Sequence, residues 1–308
     1  MNRLSAQKLV SLIHPLFLLG GFLLFALGSG IAHYLGHPVD WTAYLLGQAC
    51  ITFLQLTVLF LNDYFESLQI ENLVADHREK RLTSGIIETA EGNYRLTSQG
   101  SILLGATVLT SSFFFFLLLL RNGYLNSSSL TFLVLCFLIT VFYSAPPIRL
   151  VNSGYGELAI AILLTNLIPA IGFVLQTGSL HRLIVMTTFP LTPICLAMTL
   201  ALSLKDYPDD LNKGKKNLLV RLGWQRGMNL HNILVLVGFL LIIVSITTGL
   251  PWKIAWPSLL ALPLGLFQIW QMSQIADGEK PRWRLLSITA IATFSLAAYL
   301  FAFSYWIQ

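Results

Sequence analysis

Two stretches of this chain gather carboxylates beside cations. The first, NDYFESLQIENLVADHREKRLTSG, carries Asn62, Asp63, Glu66, Glu71 and Asp76, followed by Arg78, Lys80 and Arg81. The second, KDYPDDLNKGKKNLLVRLG, carries Asp206, Asp209 and Asp210 among Lys205, Lys213, Lys215 and Lys216. Carboxylates with a few retained waters suit Mg²⁺, which also bridges to phosphate oxygens. Without metal, carboxylates repel a diphosphate. At about 5 Å and an effective dielectric of about 20, each like-charge pair costs roughly 3 kcal/mol. Acids and phosphate therefore share a pocket only with metal between them, and Lys and Arg complete the neutralisation. Either stretch alone reads equally well as a solvated loop. The two together point to a metal–diphosphate site.

Such a site needs elements that bring the two stretches together. If a helix continues past Asn62, then Asn62 and Glu66 (i, i+4) and Asp63 and Glu66 (i, i+3) share a face. Asp206 and Asp210 are also four apart, with Pro208 between them, where proline can start a helical turn but not sit deep inside one.

Each stretch follows a long apolar run, and the whole chain is built of such runs. Of 308 residues, 55% are hydrophobic and only 11% charged, and the mean hydropathy is +0.71. Soluble domains carry roughly 25% charge, so a soluble enzyme is excluded, as are a disordered chain and a secreted disulfide scaffold. Lipid admits only helices and closed barrels. Barrel strands need alternating polarity, which runs such as 113–120 and 234–244 lack. The expected fold is all-α: one transmembrane domain over residues 1–308, with about nine helices around a central cavity open on the cytoplasmic side. The expected spans are roughly 9–32, 40–61, 96–120, 128–143, 156–176, 183–204, 228–249, 254–272 and 285–306, each near the ~20 residues a crossing needs.

Charge tests the count. With the N-terminus inside and the spans alternating, 16 of the 19 basic residues fall on the inner side, leaving Arg121, Arg182 and Lys253 outside. This is the positive-inside bias, and it predicts a multi-pass protein of the cytoplasmic (inner) membrane with a cytoplasmic N-terminus. The net charge of +5 serves orientation, and no aromatic-interleaved basic patch suggests nucleic acid. Of the 14 acids, 13 lie on the inner side and only Asp40 outside. Orientation does not require that clustering, so it needs another cause. The run after Arg3 and Lys8 is too long for a signal-peptide core and is expected to be a retained first span. Cys50, Cys136 and Cys195 stand singly in apolar runs and read as small buried hydrophobes.

With NDYFE after the second span, YSAPPIRL after the fourth and DYPDDLNKGK…LLVRLG after the sixth, the chain resembles the UbiA superfamily of intramembrane prenyltransferases, and most of all its menaquinone branch. The resemblance implies Mg²⁺-dependent transfer of a prenyl group from a polyprenyl diphosphate to an aromatic acceptor, 1,4-dihydroxy-2-naphthoate in that branch. It implies two Mg²⁺ ions, on Asp63 and Glu66 and on Asp206 and Asp210, clamping the diphosphate. Asp63, Asp206 and Tyr143 then carry catalysis, and Asn62, Arg78, Lys80, Arg149, Lys205 and Lys215 bind substrate. An allylic cation would form in a dry apolar pocket, and the prenyl tail would leave sideways into the bilayer. The chain departs from the family pattern in the first stretch. Glu66 replaces an Asp, Ile70 stands at the last motif acid, and Asn72 stands at that acid's place in the menaquinone branch, leaving Glu71 or Asp76 to substitute. Other acceptors (a 4-hydroxybenzoate, a tetrapyrrole, a lipid headgroup), a terpene cyclase on the same site and a cation transporter remain open.

Other residues carry weaker expectations. Glu157 is expected to cap its own helix, and Pro146 and Pro147 to end one. His14 is a functional candidate because ionisable groups are rare at membrane depth. Gln55, Asn166 and Gln176 either face the cavity or join helices. Phe113 to Phe116 face lipid or core.

Overall fold

Backbone in lipid must satisfy its own hydrogen bonds, so runs of about 20 apolar residues become helices. The computed structural model describes residues 15–74, 81–82, 86–88, 94–96, 98–212 and 214–308. Among them, nine helices are long and apolar enough to cross a membrane. They are α1 (Pro15–Tyr34), α2 (Trp41–Val74), α3 (Ser98–Arg121), α4 (Ser127–Ser144), α5 (Gly156–Thr177), α6 (Arg182–Leu204), α9 (Trp224–Thr247), α10 (Trp252–Ala276) and α11 (Trp283–Ile307). Two short helices, α7 (Tyr207–Asn212) and α8 (Leu218–Leu222), fill the connection between α6 and α9. The observed spans match the expected ones to within a few residues, the expected start of the first, residues 9–14, lying outside the described residues. The main difference is α2. Its 34 residues span about 50 Å at 1.5 Å per residue, well beyond the ~30 Å hydrocarbon core. The apolar stretch crosses, and the polar continuation carries Asn62, Asp63 and Glu66 past it.

One addition to the all-α expectation lies between α2 and α3. Three short antiparallel strands, β1 (Arg81–Leu82), β2 (Ile86–Glu88) and β3 (Tyr94–Leu96), pair in the order β1-β2-β3, with Arg81 opposite Ile87 and Ile87 opposite Arg95.

Small residues set how closely the helices approach. A Cβ at Gly28 of α1 would overlap the Pro169 carbonyl of α5, and one at Gly172 would overlap the Phe25 carbonyl. The Ser29 hydroxyl donates to the Gly172 carbonyl at 3.1 Å. This is the close backbone approach that small residues permit between membrane helices. In α5, a π turn at Leu163–Leu167 interrupts the α-helix. The Asn166 amide donates to the Thr192 hydroxyl of α6 at 2.8 Å and its oxygen accepts from Thr188, so Asn166 joins helices. The Gln55 amide likewise donates to the Phe17 carbonyl at 2.9 Å. Phe113 and Phe114 are exposed on the bundle surface, and the three cysteines are free and buried.

The bundle has two unlike ends. At one, α1 and α11 are held together: the Trp306 indole donates to the Ala26 carbonyl at 2.9 Å and stacks on His33. Asp40, Gln176 and the helix-end residues Arg121, Arg182 and Lys253 lie at this same end. At the other end α2 meets the connection between α6 and α9, and a cavity opens.

Candidate active site

A cavity of about 780 Å³ lies between α1, α2, α5, α6 and α11. Its body is apolar, with Leu23, Leu164, Met198 and Phe294 on its walls. Its mouth is polar and brings together Asn62, Glu66, Tyr143, Arg149, Asp210 and Lys215. Each of these six is a sequence-predicted site residue. They reach one place from α2, the α4–α5 region and the α6–α9 connection, at separations of up to about 150 residues.

The two acidic stretches meet at one cation. The Lys215 ammonium lies 3.4 Å from Glu66 Oε1 and 3.3 Å from Asp210 Oδ1. Local backbone chemistry explains how Lys215 gets there. Gly214 closes α7 with φ +65°, a left-handed conformation that suits glycine. The Gly214 amide donates to the Leu211 carbonyl and the Lys215 amide to the Asp210 carbonyl, at 3.1 and 3.0 Å. This pair of bonds is the Schellman stop, and it folds Lys215 back over Asp210. Asp210 is then fixed from its other side, where Oδ2 accepts from the Asn217 amide at 2.8 Å. Asn217 is itself the N-cap of α8, its Oδ1 accepting from the Val220 amide at 2.8 Å.

Glu157 also lines the cavity. Its carboxylate accepts from the Leu218 amide at 3.1 Å. Glu157 lies in the first turn of its own helix, but the cap it makes is on the start of α8. Asn217 was not anticipated as part of the site. Its position directly before LLVRL is the Asn-at-N-cap signal of a helix start. A further unanticipated polar group lies between α9, α10 and α11: His231, Gln268 and Gln271 are buried, and the Gln271 amide donates to the Thr289 hydroxyl at 3.2 Å.

The electrostatics favour a polyanion. Burial pulls the Lys215 ammonium down, but Glu66 and Asp210 outweigh it and hold it above its ordinary value. Burial lowers the Arg149 guanidinium, partly offset by Glu66. Arg149 is the one non-glycine residue with positive φ among the described residues, at +42°. Its Nε is buried with no hydrogen-bond acceptor. Strained backbone and an unanswered N–H on a cavity wall mark a group held ready for an incoming acceptor.

Not every predicted residue is on that wall. Asp63 follows Asn62 by one residue, about 100° around α2, and does not line the cavity. Asp206, Asp209 and Lys205 are exposed and also off the wall. The expectations for His14, Asp76, Arg78 and Lys80 lie outside the described residues, and those for Ile70, Glu71 and Asn72 concern side chains outside them. Among the described residues no three His, Cys, Asp or Glu side chains converge. What the site offers a metal is the Glu66–Asp210 pair, already aimed at one cation, with the Asn62 amide nearby. Hard oxygen donors few enough to leave room for water and phosphate fit Mg²⁺.

Known proteins resemble this chain over most of its length. It is 23% identical over 261 residues to the 1,4-dihydroxy-2-naphthoate octaprenyltransferase of Bacillus subtilis (strain 168), covering 80% of this chain and 76% of that one. Among solved structures, a UbiA homolog from Archaeoglobus fulgidus bound to GPP and Mg²⁺ superposes with a TM-score of 0.66 at 17% identity, covering 98% of this chain and all of the other. The apo structure of a UbiA homolog from Aeropyrum pernix K1 gives 0.59 at 16% identity, covering 90% and 96%. Residues 22–292 match the model of the UbiA prenyltransferase family, and this multi-pass membrane protein belongs to that family.

Proposed function

We propose that this chain transfers a prenyl group from a polyprenyl diphosphate to 1,4-dihydroxy-2-naphthoate, in menaquinone biosynthesis, with Mg²⁺ as cofactor. The observation that carries the reading is the meeting of Glu66 and Asp210 at Lys215 on the mouth of an apolar cavity. The naphthoate acceptor is supported by the Bacillus subtilis relative, and the metal and prenyl diphosphate by the Archaeoglobus homolog bound to GPP and Mg²⁺.

In this reading Glu66 and Asp210 hold the metal, with Asp63 and Asp206 as neighbouring acids of each stretch. A bound divalent ion supplies Lewis-acid charge to the leaving diphosphate. Arg149 donates its free Nε–H, and Lys215 its ammonium, to phosphate oxygens, where charge builds as the allylic C–O bond breaks. Asn62 orients the diphosphate, with Arg78, Lys80 and Lys205 as further cations of the two stretches. Tyr143 lines the same mouth and, in this reading, guides the acceptor ring toward the allylic carbon. The walls at Leu23, Leu164 and Phe294 exclude water from that carbon. The ring carbon bearing the carboxylate forms the new C–C bond, and carbon dioxide and diphosphate leave. Leu16 and Leu19 both line the cavity and are more than half exposed, so the prenyl tail passes out beside α1 into lipid. The bias of basic residues toward the cavity end supports a mouth, and an N-terminus, on the cytoplasmic side of the inner membrane.

One assay tests this. Membranes carrying the protein are incubated with labelled prenyl diphosphate and a panel of aromatic acceptors, with Mg²⁺ or EDTA. Transfer to dihydroxynaphthoate that EDTA abolishes is the expected result. Transfer persisting in EDTA contradicts the mechanism, and preference for another ring contradicts the acceptor.

A further inference from the structure

We propose that Lys215 is an exchangeable counter-cation. In the metal-free protein it holds Glu66 and Asp210 together, and when a divalent ion takes that place the ammonium moves to the diphosphate. The inference rests on the metal–diphosphate reading above and adds a coupling to it.

The geometry makes the two occupants exclusive. Asn217 engages Asp210 Oδ2 at 2.8 Å, so Oδ1 is the oxygen turned to the mouth. That oxygen and Glu66 Oε1 meet the ammonium at 3.3 and 3.4 Å. Strong charge-assisted bonds run about 2.7–2.9 Å, so this is a loose clasp. A hard divalent ion binds carboxylate oxygen at about 2.0–2.6 Å and needs the same two oxygens on itself. It cannot enter while the ammonium stays.

The ammonium is free to leave because its anchor does not depend on the ion pair. The Schellman turn at Gly214 holds the Lys215 backbone to the Asp210 carbonyl at 3.0 Å. The four-carbon stem beyond it is flexible and ends in a compact charge. That side chain is 36% exposed, against 12% for Asp210, so the head has room to swing while the acid stays. Both Lys215 and Arg149 line the cavity, so the released charge remains where a diphosphate would lie.

Exchange makes metal and diphosphate bind cooperatively. Metal alone must displace an ion pair and return the ammonium to water. With diphosphate present, the displaced ammonium gains a new partner. Such coupling is reciprocal and typically amounts to about 5- to 150-fold in affinity.

The test is Mn²⁺ binding to the purified full-length chain in nanodiscs, followed by electron paramagnetic resonance with and without inorganic pyrophosphate. In the wild type, pyrophosphate should tighten Mn²⁺ by at least about fivefold. Lys215→Met should bind Mn²⁺ alone at least about fivefold more tightly than the wild type and lose most of the pyrophosphate enhancement. Lys215→Arg should keep weak binding without pyrophosphate, because the cation is restored. Helical circular dichroism and a monodisperse elution profile confirm the fold of each variant. If folded Lys215→Met binds Mn²⁺ no more tightly than the wild type, the exchange is wrong while the metal–diphosphate reading stands. If the wild type binds no Mn²⁺ even with pyrophosphate, that reading falls and the exchange with it.

Discussion

The two ends of the bundle handle polar groups differently. At the closed end Asp40, Gln176 and Asn126 meet backbone groups across short distances. The Asp40 carboxylate accepts from the Thr42 and Ala43 amides at 2.8 and 3.1 Å, the Asp40 amide donates to Gln176 at 2.8 Å, and Asn126 donates to the Gly178 carbonyl at 2.6 Å. At the cavity end, Glu66 and Asp210 are bridged by an ammonium more than 3.2 Å from each. Backbone partners cannot be exchanged without unfolding a helix end, whereas a side-chain cation can be. The contrast separates groups that keep the fold shut from groups that take part in binding, and it can be broken by substitutions at either end.

The largest effect belongs to Asp210→Asn. It keeps the shape and removes the charge from the meeting point of the two stretches. Initial rates of prenyl transfer should fall on the order of 10²- to 10³-fold, the size of losing one key electrostatic group at a reacting centre. Thermal unfolding in detergent should move little.

The reverse pattern is expected for Gly28→Val. The new side chain drives α1 off the Pro169 carbonyl, an overpacking cost of typically 1–3 kcal/mol. The unfolding midpoint should drop, while transfer per folded molecule stays at the wild-type level.

Gly214→Ala joins the two classes. Nothing crowds a Cβ there, so the cost is the left-handed backbone alone, about 1–2 kcal/mol. Part of that cost should appear as weaker pyrophosphate binding in a titration, because the turn aims Lys215.

The smallest effect is at Asp40. Losing this helix N-cap in Asp40→Ala should cost about 1 kcal/mol. The Ala43 amide, foremost among its partners, holds the Asp40 carboxyl below its ordinary value of 3.8. A depressed carboxyl contributes fully above its unfolded value and loses its contribution as pH falls through the folded one. Wild type and Asp40→Ala should therefore differ in unfolding midpoint at pH 7 and converge below pH 3.8.

The spans were legible because lipid leaves a long apolar run no alternative to helix, and because a miscount would have scrambled the basic residues. The two acidic stretches were legible as a pair for the same reason: the alternation of spans put both on one side. Which acid of each stretch turns inward was not legible. Spacing made Asp206 and Asp210 equivalent, and the choice of Asp210 comes from the turn at Gly214 and the Asn217 amide. Glu157 reaches the Leu218 amide 61 residues away, a contact that no local pattern announces. The strands between α2 and α3 are only two or three residues long, too short for alternation to register.

The π turn in α5 has a consequence for how one helix serves both ends. Over the 16 positions from Gly156 to Gly172, an uninterrupted α-helix would swing the side-chain direction by roughly 160°, whereas one extra residue taken up in a wide turn leaves roughly 60°. The winding is thereby reset. The sector that faces the cavity at Gly156, Ile160 and Leu164 is still turned inward where Gly172 abuts Phe25. Deleting a single residue from Leu163–Leu167 would leave α5 just as apolar and just as able to cross a membrane. By the same count it would restore plain α-helix at the same roughly 60°, whereas winding all of these residues as plain α-helix would put wall and seam out of phase, so that the helix could satisfy α1 or the cavity but not both.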